Sequence, residues 1–134
     1  MNKRYVLDAN SIVSFLENEP GAARMEQLFQ ELRHGSPALI SVVNWGEVFY
    51  LSWQKYGEEP ARRTLTNLTQ LPLEIIAADQ PLVLQAAAIK ALHKIPYLDC
   101  MAAALAAQQN ATLVTSDRDF EKLGRQFPIL WLDR

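Results

Sequence analysis

Two aspartates stand where an apolar, β-branched segment ends, in the stretch TLVTSDRDF at residues 112–120. Asp117 and Asp119 follow that segment, and Asp8 likewise follows the apolar segment YVL near the start of the chain. A carboxylate in such a position can cap the next helix or bind a metal ion. The positions alone leave both roles open.

Two further acids occur on helices that should approach the same region. Glu47, in SVVNWGEVFYL, has Val43 and Leu51 as its i−4 and i+4 neighbours, which places it on or beside an apolar stripe. A glutamate is almost never fully buried unless it is paired, so Glu47 should have a partner. Asp99, in IPYLDCMAAALAAQQ, stands at the end of the first turn of an almost wholly apolar helix.

Each acid alone has a structural explanation. Asp8 and Asp117 could cap helices, and Asp99 and Asp119 could interact with a helix dipole. Glu47 could form an ion pair with an arginine. Four acids meeting at one edge, however, repel each other by roughly 4 kcal/mol per close pair at an effective dielectric near 20. Such a cluster needs a cation or bound protons, and oxygen ligands without histidine or cysteine favour Mg²⁺ or Mn²⁺ over zinc.

The elements that must position these acids alternate along the chain. Short apolar segments predict five strands, at residues 5–7, 38–40, 73–77, 112–115 and 129–132. Helices are predicted between and after them, at residues 9–18, 20–33, 42–57, 59–71, 79–93, 96–109 and 118–125. The strands are apolar runs, as expected when both faces of a parallel sheet are covered. The alternation predicts an α/β fold with a mainly parallel sheet and one domain over residues 1–134.

Four residues should mark helix ends. Ser41 can cap the third helix and Gly57 can end it, Pro96 fits the first turn of the sixth, and Gly124 can close the last. Ligands of parallel α/β sheets gather at the carboxyl ends of the strands. Asp8 and Asp117 follow strands directly, so the acids should meet at that edge.

Composition limits the classes of function. The 134 residues are 49% hydrophobic and 21% charged, with 13 Lys+Arg against 15 Asp+Glu and a net charge of −2. The whole molecule therefore supplies no non-specific attraction to nucleic acid or to an anionic membrane. The single cysteine, Cys100, excludes an internal disulfide and a CxxC pair. With apolar runs far shorter than the roughly 20 residues of a membrane span, a cytoplasmic location is expected.

Several enzyme classes with acids at strand ends do not fit. A receiver domain needs an aspartate ending its third strand and a lysine ending its fifth, whereas Asp79 comes too late and the fifth strand offers no lysine. A haloacid-dehalogenase-type phosphatase needs DxDx[TV] where this chain has DANS, and a dinucleotide binder needs a glycine-rich first turn. A histidine nuclease is also disfavoured, because His34 and His93 fall near helix ends where a cation is favoured structurally.

Four segments occur in one order: VLDANSIVSFL, ISVVNWGEVFYL, YLDCMAAALA and LVTSDRDF. Together they resemble the PIN-domain family, specifically the VapC-type toxins of bacterial toxin–antitoxin pairs, from end to end of the chain. The resemblance implies a Rossmann-like three-layer α/β/α fold and a Mg²⁺- or Mn²⁺-dependent endoribonuclease. It also implies structured RNA as substrate, including transfer or ribosomal RNA, and neutralisation by a small antitoxin protein.

The resemblance also implies roles for individual residues. Asp8, Glu47, Asp99 and Asp117 match the acidic quartet of the family. Asp8, Asp99 and Asp117 would hold the metal ion, and Glu47 would orient a ligand water or the attacking water. Cys100 departs from the family, which usually has a small alanine at that position.

Other residues are expected to support the site. By the same resemblance, Asn10 and Thr115 match small polar residues that hold the site by hydrogen bonds, and Asp119 matches a frequent extra acid. Arg118 lies between two of the acids and is the candidate for contact with RNA phosphates.

One predicted helix carries more aromatic residues than a single buried stripe can accept: Trp45, Phe49, Tyr50, Trp53 and Tyr56. Some should line a groove for an amphipathic antitoxin segment or a homodimer face. The alternative to the nuclease is a non-catalytic α/β interaction module whose acids are structural or hold a structural ion.

Overall fold

Five parallel strands form the centre of the computed structural model, which describes residues 3–133. They are β1 (Tyr5–Leu7), β2 (Ala38–Ser41), β3 (Leu73–Ile76), β4 (Thr112–Thr115) and β5 (Ile129–Trp131). Their order in the sheet is β3-β2-β1-β4-β5, and every neighbouring pair is parallel. The predicted five-stranded parallel sheet is confirmed. Of the predicted domain, Met1, Asn2 and Arg134 lie outside the described residues.

Helices cover both faces of the sheet and complete a three-layer α/β/α fold. They are α1 (Ala9–Leu16), α2 (Ala22–Leu32), α3 (Val42–Tyr56), α4 (Glu58–Leu68), α5 (Gln80–Leu92) and α6 (Tyr97–Gln108), with a 3₁₀ helix at Arg118–Leu123. Helices α5 and α6 pack on one face, and α1 and α2 on the other. Strands buried on both faces must be apolar at consecutive positions, which explains the apolar runs of β1 and β4.

Local sequence signals set most helix ends. Ser41 Oγ accepts a hydrogen bond from the backbone N–H of Asn44 at 3.0 Å and caps α3. Gly57 has φ +97° between α3 and α4, and Gly124 has φ +92° after the 3₁₀ helix. Both glycines adopt backbone angles that disfavour other residues, so both predicted helix ends are confirmed.

Three helix boundaries differ from the prediction. Helix α2 begins at Ala22 after Gly21, which has φ +109°, so Pro20 lies before the helix. Pro96 is the N-cap of α6 rather than a residue of its first turn. The last helix, predicted over residues 118–125, is a six-residue 3₁₀ helix.

The strand order creates a cleft beside β1. From β1 the chain builds β2 and β3 on one side, and it then returns to add β4 and β5 on the other. The connections leaving β1 and β4 therefore diverge at the carboxyl edge, which is where ligands of such sheets bind. No helix within residues 3–133 has the length and apolar character needed to cross a membrane.

Candidate metal centre

Asp8 is fixed in the cleft by two hydrogen bonds. Its Oδ1 accepts from the backbone N–H of Ser11 at 2.8 Å and thereby caps α1, while its Oδ2 accepts from Thr115 Oγ1 at 2.5 Å. Only 3% of the residue is exposed. Burial raises the pKa of Asp8 to about 7, because the bonds from Thr115 and Ser11 only partly compensate and Asp117 adds a like charge.

Thr115 connects the ends of β1 and β4. Its hydroxyl donates to Asp8 and accepts from the backbone N–H of Asp117 at 2.9 Å. Asp117 Oδ1 in turn accepts from the backbone N–H of Asp119 at 2.9 Å and caps the 3₁₀ helix. The capping role considered for Asp8 and Asp117 is therefore present, and it orients both carboxylates in the cleft.

Asp99 lies in the first turn of α6 and faces the same cleft. One carboxylate oxygen each from Asp99, Asp117 and Asp119 lie within 4.8 Å of one another. Asp99 Oδ2 is buried and has no hydrogen-bond partner among residues 3–133. Burial first, and then the charges of the surrounding acids with Asp117 foremost, raise the pKa of Asp99 to about 8.

A buried carboxylate oxygen without a donor is costly, and either a bound cation or protonation of the carboxyl lowers that cost. A cation within reach of the oxygens of Asp99, Asp117 and Asp119 would pair that oxygen and relieve the repulsion between the acids. A donor set of carboxylate oxygens suits a hard ion such as Mg²⁺ or Mn²⁺. The residues present fit the ion that the resemblance implies.

Glu47 approaches the cluster from α3. Burial raises its pKa above the ordinary value, the bond from Asn44 opposes this, and the charge of Asp117 adds to it. The partner expected for Glu47 is Asn44, whose Nδ2 donates to Glu47 Oε1 at 3.3 Å, rather than an arginine. The same Nδ2 donates to the backbone carbonyl of Leu98 at 3.0 Å. Asn44 therefore links Glu47 to the residue before Asp99.

Asn10 holds the loop between β4 and the 3₁₀ helix. Its Oδ1 accepts from the backbone N–H of Ser116 at 3.0 Å and from the Ser116 hydroxyl at 2.8 Å. This contact joins the start of α1 to the residue before Asp117. Asn10 and Thr115 thus both contact residues of the cleft, and their supporting role in the site stays a prediction.

Two basic residues near the cluster, Arg118 and Lys122, form only long ion pairs with acids. Arg118 Nη2 lies 3.5 Å from Asp133 Oδ2, and its side chain is 58% exposed. Lys122 Nζ lies 3.8 Å from Asp119 Oδ1 and donates to the carbonyl of Lys94 at 3.0 Å. Contact of Arg118 with RNA stays a prediction.

Three residues of this network were missed from the sequence: Ser11, Asn44 and Lys122. Ser11 and Asn44 each stand three positions after a capping residue, a spacing that could have marked both as partners of Asp8 and Ser41. The contact of Asn44 with Leu98 joins residues 54 positions apart and has no local signal.

The histidines and the cysteine lie away from this chemistry. His93 is the C-cap of α5, and His34 comes two residues after the end of α2. Both positions are the helix ends that the sequence predicted. Cys100 is buried with 0% exposure, as its apolar context indicated.

Comparison with known proteins agrees with this geometry. The sequence profile of the PIN domain matches residues 5–126. No protein of curated function matches the chain in sequence. Among solved structures, a chain of the DNA-bound VapBC complex from Salmonella typhimurium superposes with a TM-score of 0.77 at 18% identity, covering 98% of this chain and 99% of that one.

Two further structures are similar in fold. A chain of VapBC-1 from nontypeable Haemophilus influenzae has a TM-score of 0.74 at 21% identity, covering 98% of this chain and 99% of that one. The VapC20 toxin of Mycobacterium tuberculosis, described as cleaving the sarcin-ricin loop, has a TM-score of 0.72 at 14% identity, covering 90% and 95%. The profile match spans most of the chain, and the acids meet in the cleft of the matching fold. This chain belongs to the PIN domain family.

Proposed function

We propose that this chain is a Mg²⁺- or Mn²⁺-dependent endoribonuclease of the VapC type, the toxin of a toxin–antitoxin pair acting in the cytoplasm. The observation that carries the proposal is the buried, unpaired Oδ2 of Asp99 beside the carboxylates of Asp117 and Asp119. A buried acid with a purely structural role is normally paired with a hydrogen-bond donor. An acid whose role is to bind a cation would instead leave an oxygen without a donor.

The carboxylates divide into ligands and supports. Asp8, Asp99 and Asp117 would hold the ion, and Asp119 would share that role, because one of its oxygens lies within 4.8 Å of oxygens of Asp99 and Asp117. Hydrogen bonds from Thr115 and Ser11 fix the carboxylate of Asp8 in the cleft. When ionised, this carboxylate interacts electrostatically with Asp99 and Asp117. When bound, the ion polarises a phosphodiester and lowers the pKa of a water.

Glu47 would act on the attacking water. Its carboxylate faces the charge of Asp117, and Asn44 fixes its orientation. Its pKa is raised, which makes the carboxylate a better acceptor for the proton that the water loses. Hydrolysis then adds this water across one phosphorus–oxygen bond and leaves a phosphate monoester and an alcohol.

RNA is the proposed substrate because of the family and of one structure that is similar in fold. VapC20 is described as cleaving the sarcin-ricin loop, and structured RNAs such as transfer or ribosomal RNA are proposed for this chain. Arg118, exposed at the edge of the cluster, is proposed to contact a phosphate. A net charge of −2 makes such local contacts necessary.

The antitoxin is proposed to bind a groove between α1, α3 and α4. This groove has a volume of about 630 Å³ and is lined by apolar residues that include Val13, Leu16 and Leu51. Lys55 and Tyr56 both donate to Glu17 Oε1 at its side, at 2.8 and 2.7 Å. A concave apolar groove with a polar margin suits an amphipathic segment. The structures similar in fold include toxin–antitoxin complexes.

The aromatic residues of α3 are divided between packing and surface. Trp45 and Phe49 are half-buried, whereas Tyr50, Trp53 and Tyr56 are exposed. Tyr56 lines the groove directly. This division supports the expectation that only some of the aromatic residues serve the core.

The test is cleavage of total cellular RNA by the purified full chain with Mg²⁺, with Mn²⁺ or with a chelator, followed by mapping of the ends. We expect metal-dependent cuts at few positions, and a loss of at least about a hundredfold in Asp99→Asn. Asp79→Asn is the matched control, since Asp79 also follows a strand and caps a helix, through Leu82 N–H at 3.0 Å. Asparagine caps equally well, so this variant should cleave like the parent. Cutting that persists in chelator or in Asp99→Asn would favour the non-catalytic module with a contaminating nuclease.

A further inference from the structure

A second concave site, the β5 site, lies between the 3₁₀ helix and β5, at one edge of the sheet. It has a volume of about 550 Å³, within the range of sites that hold a small ligand. Its lining combines aromatic, charged and apolar side chains, among them Phe120, Glu121, Arg125, Phe127, Ile129 and Trp131. None of these residues belongs to the acid cluster or to the groove between α1, α3 and α4.

The β5 site adjoins the acid cluster through β4. Trp131 is paired in register with Thr115, whose hydroxyl donates to Asp8. Residues paired in this way project to the same face of a sheet, and neighbouring strands lie about 4.8 Å apart. The 3₁₀ helix begins beside Asp119, and its far end lines the β5 site. A nucleic-acid strand that leaves the acids on this side therefore reaches the β5 site next.

The lining supplies a cation and aromatic surface. Arg125 is exposed and takes part in no ion pair or side-chain hydrogen bond within residues 3–133. Trp131 and Phe127 are half-buried, so each presents part of its ring to the site. A guanidinium group suits a phosphate, and an aromatic ring suits the face of a base. The carboxylate of Glu121 repels a second phosphate but can accept a hydrogen bond from the N–H groups of a base.

We propose that the β5 site binds one unpaired nucleotide of the RNA, next along the strand from the phosphate at the acid cluster. The base stacks against Trp131 and Phe127, and Arg125 contacts the phosphate of that nucleotide. This inference rests on the proposed ribonuclease function and adds the side of the acids along which the RNA runs. Bases of a duplex are already stacked and paired, so the site selects single-stranded segments.

The test is binding of a fluorescein-labelled, single-stranded RNA of about twelve nucleotides, measured by anisotropy at several salt concentrations. Every chain is full length and carries Asp99→Asn, so that the RNA stays intact. Arg125→Gln should weaken binding about tenfold and lower the slope of log Kd against log salt by about 0.7, the value for one phosphate contact of a single strand. Arg63→Gln is the matched control, because it removes the same charge from an exposed position on α4.

Trp131 tests the contact with the base. Trp131→Leu should weaken binding about five- to a hundredfold and leave the salt dependence unchanged, because stacking on a base releases no counterions. Trp131→Phe keeps an aromatic ring and should restore most of the affinity. Trp131 packs partly against the core, so circular dichroism must verify the fold of both variants. Arg125 is exposed, so its variant tests the site independently of that packing.

Two results would overturn the β5 site. One is an Arg125→Gln chain that matches Arg63→Gln in both affinity and salt dependence, and the other is an Asp99→Asn chain that binds no single-stranded RNA. Cleavage of RNA by the chain that retains Asp99 judges the nuclease separately. Cleavage combined with equal affinities would exclude only the β5 site, whereas binding that depends on Arg125 without any cleavage would exclude only the nuclease.

Discussion

At the scale of single residues, Asp99 is distinguished from the other acids by what it does not do. Asp8 and Asp117 cap helices and accept hydrogen bonds, and Glu47 accepts from Asn44. Asp99 instead leaves Oδ2 unpaired within the part of the chain that the structure describes. Its environment therefore favours the neutral carboxyl unless a cation is present.

This environment predicts a pH dependence for the metal-free protein. The pKa of Asp99 is raised from 3.8 to about 8, so the folded chain binds this proton more tightly than the unfolded chain does. The stability that results is fully present below about pH 4 and is lost as the pH rises through about 8. Asp8, with a pKa of about 7, adds a loss in the same direction. The free energy of unfolding in chelator should therefore fall between about pH 4 and pH 8.

Asp99→Asn should remove the part of this loss that Asp99 causes. At about pH 9 the variant should unfold at a temperature about 4 °C higher than the parent, or about 1 kcal/mol, since it lacks the charge. Below about pH 4 the two should agree, because Asp99 is then neutral in both the folded and the unfolded chain. Thermal melts in chelator measure both values, with Asp79→Asn as a control that should follow the parent. A variant that melts below the parent at pH 9 would show that the acids do not strain the fold.

At the scale of elements, one buried asparagine couples α3 to α6. Asn44 is 1% exposed, accepts from the Ser41 hydroxyl at 2.7 Å and donates to both Glu47 and the Leu98 carbonyl. These bonds join the cap of one helix to the first turn of another. The position of Glu47 relative to Asp99 therefore depends on this side chain.

Asn44→Ala should loosen that coupling. The change removes the acceptor of the buried Ser41 hydroxyl and the side-chain donor to Glu47 and to the Leu98 carbonyl, so a loss of about 2 kcal/mol in unfolding free energy is expected. Cleavage should fall about ten- to a hundredfold, the usual effect of losing a residue that orients a metal site. Denaturant unfolding and initial cleavage rates measure the two effects. Asn67→Ala, an exposed position on α4, is the control, and a variant that matched it in both assays would refute the coupling.

The elements themselves were largely predictable, because their signals are local. Apolar runs marked all five strands, and Ser41, Gly57 and Gly124 marked helix ends. The sequence predicts a helix at residues 118–125 but not that it is a 3₁₀ helix, because capping by Asp117 and closure by Gly124 do not distinguish a 3₁₀ helix from an α-helix over six residues.

The proximity of these acids was predictable, their contacts were less so, and their roles in a metal site stay predictions. One oxygen each of Asp99, Asp117 and Asp119 lie within 4.8 Å of one another at the carboxyl edge of the sheet, where ligands of parallel α/β sheets bind. Both carboxylate oxygens of Asp8 are engaged by Ser11 and Thr115, a detail that depends on side-chain packing. The partner that Glu47 was expected to have is Asn44, and the bond from Asn44 to the Leu98 carbonyl is a tertiary contact that spacing along the chain does not encode.

At the scale of the whole molecule, the proposed activities use separate surfaces. The acid cluster lies at the carboxyl edge of the sheet, and the groove lies between α1, α3 and α4. Variants in one surface should therefore leave the other intact. This separation makes the antitoxin proposal testable apart from catalysis.

Leu16→Glu should weaken antitoxin binding without loss of cleavage. Leu16 lines the groove, is 40% exposed and ends α1, the full length of that helix away from Asp8. A charge there should reduce affinity by about thirtyfold or more, because it must be buried against an apolar segment. Co-purification with the antitoxin and relief of cleavage measure this effect. Ile75→Glu, outside the groove, should bind normally, and equal binding by both variants would exclude the groove as the site.

The central claim is that the carboxylates in the cleft hold a divalent ion. Its most direct measurement is Mn²⁺ binding to the purified chain, by calorimetry and by electron paramagnetic resonance, in the parent, Asp99→Asn and Asp79→Asn. We predict saturable binding to the parent and to Asp79→Asn, and affinity lower by at least about tenfold in Asp99→Asn. A parent that binds no Mn²⁺, or an Asp99→Asn variant that binds it as tightly as the parent, would contradict the account.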